Sequence, residues 1–69
     1  MNKEAILTQT VDQLENMNAA LAALRREHLP GQPRTFAILA EGPLEEIRRL
    51  QTEIEQLTTE LATAPAEVQ

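Results

Sequence analysis

The chain has 69 residues, 42% of them apolar, with eleven Asp/Glu against six Lys/Arg and a net charge of −5. It contains no Cys, Trp or Tyr and a single Phe, which excludes disulfides, thiol chemistry and thiolate metal sites and leaves little for base stacking. The longest apolar runs, residues 19–24 and 36–40, fall well short of the roughly 20 residues a membrane span needs.

The first residues, Met1-Asn2-Lys3-Glu4, lack the basic stretch and apolar run of a signal peptide, so the cytoplasm is the expected setting. Residues 2–29 contain neither Gly nor Pro and are rich in good helix formers. They predict a first helix over 2–29. Asn2 is its N-cap and Glu4 lies in its first turn. Arg25, Arg26 and His28 sit against the negative end of the helix dipole.

Pro30-Gly31-Gln32-Pro33 breaks that helix, and Gly42-Pro43 is a second punctuation mark. Residues 30–42 are therefore expected to form a connector holding a short helix, roughly 34–41, that starts near Thr35 and is closed by Gly42. An extended segment is the alternative. Pro43 suits the first position of a second long helix over 43–64, with Glu45 and Glu46 in its first turn. Pro65 ends it, and residues 65–69 are expected to be a disordered tail outside a single domain of residues 1–64.

Hydrophobic spacing is the strongest signal. Leu7, Thr10, Leu14, Met17, Leu21, Leu24 and His28 alternate steps of three and four, as do Ile47, Leu50, Ile54, Leu57, Leu61 and Ala64. Both are heptad seams, with their members at the a and d positions. The expected fold is all-α, an antiparallel coiled-coil hairpin; the alternative is two helices that splay apart and each pair with another chain. The hairpin's seams can be set in register with Leu24 on Ile47, Leu21 on Leu50, Met17 on Ile54, Leu14 on Leu57, Thr10 on Leu61 and Leu7 on Ala64. His28 then meets Pro43 at the turn end.

One seam per helix buries little. Ten of the apolar residues are Ala, and a chain of this size without staples usually needs association to complete its core. A homodimer closing a four-helix bundle is the expected state. Its candidate interface comprises Val11, Ala22, Phe36, Ile38, Leu39 and Leu44, which widen the apolar face beyond a strict a/d stripe.

Five of the six basic residues are Arg25, Arg26, Arg34, Arg48 and Arg49. The register above gathers Arg25, Arg26, Arg48 and Arg49 at the connector end, as candidate contacts for an anion or an acidic partner. Glu27, Glu41, Glu45 and Glu46 share that end and offset them. Glu45 can pair with Arg49, and Arg49 with Glu53, at i+4. His28 has no second His and no recognised orienting partner, so it reads as a helix-terminal or interface histidine. Thr10 reads as tolerated polarity or a register device. Neither a cofactor nor a metal site is expected.

These features point to a small non-catalytic structural or interaction protein, a self-associating helical adaptor or subunit, with a protein partner as a further candidate. The alternative is a regulatory nucleic-acid binder using the connector-end arginines. The acidic balance argues against it.

Overall fold

The computed structural model describes residues 2–63. Helix α1 spans Lys3–His28. Asn2 is extended at its N-cap, and its side-chain oxygen accepts the Glu4 backbone N–H at 2.7 Å. That satisfies one of the donors a helix start leaves open. Arg25, Arg26 and His28 occupy the last turn, and the Leu29 N–H donates to the Arg25 carbonyl at 3.0 Å.

The turn is short. The His28 carbonyl accepts from Gly31 N–H at 3.3 Å and from Gln32 N–H at 2.6 Å. The His28 ring adds a second link, with Nδ1 2.8 Å from Gln32 Oε1. Helix α2 then runs unbroken over Pro33–Thr63. The first-position role expected of Pro43 belongs to Pro33, whose missing N–H costs nothing there. Gln32 accepts the first helical bond, from Phe36 N–H at 2.9 Å.

The expected connector helix over 34–41 and the second helix from 43 are thus one element, and Gly42 closes nothing. Gly42 has no positive φ, and a Cβ built on it would meet open space. Two features allow the helix through Gly42-Pro43. A residue before proline is pushed out of the α region partly by its own Cβ, which glycine lacks. Pro43 removes the N–H that would serve the Leu39 carbonyl, but its ring is half-buried on the seam side of α2.

The two helices pack antiparallel along their length as a hairpin, a rod of 56 × 16 × 14 Å. Every α1 seam residue from Leu7 to His28 is buried or half-buried. On α2 the sheltered apolar positions are Phe36, Ala40, Pro43, Ile47, Leu50, Ile54, Leu57 and Leu61, with Glu46 and Glu53 half-buried beside them. This is the heptad alternation of Ile47–Leu61 continued upstream in the same phase. Ala64 and residues 65–69 lie outside the described residues, so the Leu7–Ala64 layer and the tail do too.

The register differs from expectation. His28 and Pro33 flank the turn, and Lys3 Nζ meets Glu60 Oε1 at 3.0 Å near the open end. These two constraints slide α2 by roughly seven to ten residues, about 10–15 Å, from the expected pairing. Leu24 therefore lies level with residues 37–40, and Ile47 with residues 14–17, so these two do not form a layer. Pro43 sits well inside the hairpin rather than beside His28. The cause is the shorter turn. A heptad pattern fits equally well in any register shifted by seven residues, so loop length alone decides among them.

The core is thin. Leu50 is fully buried, Ala40 is 1% and Ile47 8% exposed, and Thr10 joins them at 6%. The Thr10 hydroxyl donates to the Ile6 carbonyl at 2.8 Å, so this polar seam member is satisfied within its own helix. Among the described residues no buried side-chain polar atom lacks a partner.

Candidate functional site

The arginines are divided by the corrected register. Arg25, Arg26 and Arg34 lie beside the turn. Arg48 and Arg49 lie level with the middle of α1, about 21–22 Å along the rod from Arg34, given a rise of 1.5 Å per residue. The expected cluster of Arg25 and Arg26 with Arg48 and Arg49 does not form.

Arg49 is held within α2. Its Nη1 donates to Glu53 Oε2 at 2.7 Å, and its Nε to Glu46 Oε1 at 3.1 Å, with Nη2 closing a second bond to Glu46. The Arg49–Glu53 pair stands where i+4 spacing put it. The other partner is Glu46, not Glu45. At i−3 Glu46 presents both carboxylate oxygens to the flat guanidinium fork. The Arg49 hydrogen bond lowers the Glu46 pKa from its ordinary value, and the Glu46 bond raises that of Arg49. Among the described residues Arg25, Arg26, Arg34 and Arg48 form no ion pair.

His28 is half-buried and belongs to the turn, with Nδ1 at Gln32 and Nε2 3.7 Å from Glu27 Oε1. No group of three or more His, Asp or Glu converges as a metal site among the described residues. A shallow open depression lined by Thr52, Glu55, Gln56, Thr59 and Glu60 lies on the outer side of α2. No described helix is long and apolar enough to cross a membrane.

The candidate interface residues take three kinds of position. Phe36 is half-buried in the seam, and Val11 and Ala22 are half-buried on α1. Ile38 and Leu39 are 68% and 45% exposed, and Leu44 is 36% exposed. By the heptad phase of α2, Ile38 points away from α1, while Leu39 and Leu44 lie on opposite edges of the hairpin. Leu29, in the turn, is also 40% exposed and was not singled out from the sequence. It follows the last seam residue directly, and the shortness of the turn strands it. In comparisons with known proteins the chain matches no family model, no curated protein and no solved structure.

Proposed function

We propose that the chain is a non-catalytic, cytoplasmic interaction protein, a helical adaptor or subunit that self-associates as a homodimer and closes a four-helix bundle. The observation that supports this is its surplus surface. The chain exposes 5261 Å², whereas a compact protein of 7.7 kDa exposes roughly 4,300 Å². The excess is surface that an elongated hairpin leaves uncovered, enough to supply an interface of standard size, roughly 800 Å² from each partner. Its radius of gyration, 16.2 Å, likewise exceeds the roughly 11 Å of a compact chain of this length. A second hairpin laid along the first is the simplest way to cover Leu44 or Leu39 and thicken a core that now centres on Ala40, Ile47 and Leu50.

Sedimentation equilibrium tests the reading, with thermal melts across a hundredfold concentration range beside it. A dimer mass and a midpoint that rises with concentration are expected. A monomer mass with a fixed midpoint would overturn the proposal. The nucleic-acid alternative would have to use Arg25, Arg26 and Arg34 beside the turn, and the net charge of −5 weighs against it.

A further inference from the structure

Two rows of charged residues run along α2 at seven-residue spacing, one on each edge of the hairpin. Glu46, Glu53 and Glu60 form the first, beside Leu39. Arg49 and Lys3 bind it within the chain. Arg34, Glu41, Arg48 and Glu55 form the second, beside Leu44. All four are exposed, and none has an ion-pair partner among the described residues. Leu44 falls three residues after Glu41 and four before Arg48, the spacing that makes neighbours on a helix surface.

The second row has a symmetry that the first lacks. Its signs alternate, and reversing its direction exchanges Arg for Glu at every position. Equivalent patches meet in a two-fold dimer, residue i on j and j on i. Turned antiparallel on a copy of itself about a point between Leu44 and Glu45, the row sets Arg34 against Glu55 and Glu41 against Arg48. Each pairing then occurs twice. A parallel arrangement in register sets like charge on like charge. The first row is Glu throughout, so no reversal makes it complement its own copy.

We infer that a second copy of this chain docks antiparallel along the Leu44 edge of α2, its row Arg34, Glu41, Arg48, Glu55 pairing with the same row of the first copy. This rests on the self-association proposed above and adds the surface and its direction. Leu44 lies beside its own symmetry mate at the centre, Ala37 falls level with Thr52 and Ile38 with Gln51, so the strip alongside the paired charge rows is uncharged. Equivalent edge positions face each other when helices pack antiparallel, which brings the two charged rows together along one side of the contact. The fit is that of a second copy, because the pattern complements itself.

Two double variants test it. Arg34→Glu with Arg48→Glu makes the row wholly acidic, and Glu41→Arg with Glu55→Arg makes it wholly basic. Sedimentation velocity at low salt is run on the wild type, on each variant and on their equimolar mixture, with helicity followed by circular dichroism. The wild type is expected to dimerise, and each variant alone to bind itself at least about tenfold more weakly. The mixture should recover wild-type affinity as a heterodimer. If a variant loses helicity alone, its recovery on mixing reads the same complementarity. Variants that dimerise as tightly as the wild type overturn this surface while leaving self-association standing. Variants that weaken but do not recover on mixing overturn the antiparallel pairing. A wild type that stays monomeric overturns both this inference and the self-association beneath it.

Discussion

The upstream part of α2, residues 33–44, and the downstream part, residues 45–63, share one helix and one seam phase but are sustained differently. Downstream there is no Gly or Pro, Ile47 and Leu50 are buried, and Arg49 is tied to Glu46 and Glu53. Upstream, Gly42 and Pro43 both oppose the helix by propensity, and Ile38 and Leu39 are left largely in water. Among the upstream residues only Ala40 is buried. The lesson is that helical continuity upstream comes from docking Phe36, Ala40 and Pro43 on α1, whereas downstream local preference and packing agree.

The largest expected effect lies downstream. Leu50→Ala removes a side chain with no exposed surface and should cost about 2–5 kcal/mol, measured by urea unfolding at fixed protein concentration. Ile38→Ala, upstream and 68% exposed, should change stability by no more than about 0.5 kcal/mol. Equal losses would erase the distinction between the two parts.

Pro43→Ala sharpens it from the other side. The substitution restores an N–H for the Leu39 carbonyl and removes a residue about 3 kcal/mol worse than Ala in a helix interior. It also deletes part of a half-buried ring, so the net gain should be about 1–2 kcal/mol, read as a higher melting midpoint. A lower midpoint would mean that the ring's packing in the seam outweighs the backbone penalty.

Much of the hairpin was legible in the sequence. The α1 seam from Leu7 to His28, the Asn2 cap and the Pro30–Pro33 break all stand as the spacing put them. The α2 boundary does not, because Gly42-Pro43 reads locally as a breaker. The contrary signal was present: Phe36, Ala40 and Pro43 extend the phase of Ile47 and Leu50 without a slip. The register error followed from that one boundary, since heptads cannot discriminate shifts of seven. The candidate arginine cluster divides with it, Arg48 and Arg49 being joined to Arg25 and Arg26 only by the longer connector. The Arg49–Glu46 fork was obscured for a different reason. Spacings of three and four both place side chains as neighbours, and only rotamers choose between Glu45 and Glu46.

A smaller effect is expected at the interhelical ion pair. Lys3 and Glu60 are 55% and 51% exposed in their side chains, so Glu60→Ala should cost less than about 1 kcal/mol in low salt and fade as salt is added. A cost that persists in 1 M salt would show that Glu60 does more for the register than pair with Lys3.

The smallest effect is also the most local. Glu46 is held below its ordinary pKa first by the Arg49 hydrogen bond, with burial opposing and the Arg49 charge adding to the shift. Because the folded pKa is depressed, the stabilisation is present above the unfolded carboxylate value and is lost as pH falls through the folded one. An NMR titration of the Glu46 carboxyl should therefore move upward, toward the ordinary carboxylate value, in Arg49→Ala. In Arg49→Lys the charge remains but the planar fork is gone, so the pKa should recover only part of the way. If Lys preserved the full depression, charge rather than the paired hydrogen bonds would dominate. The downstream part of α2 would then differ from the upstream part in electrostatics alone at this position.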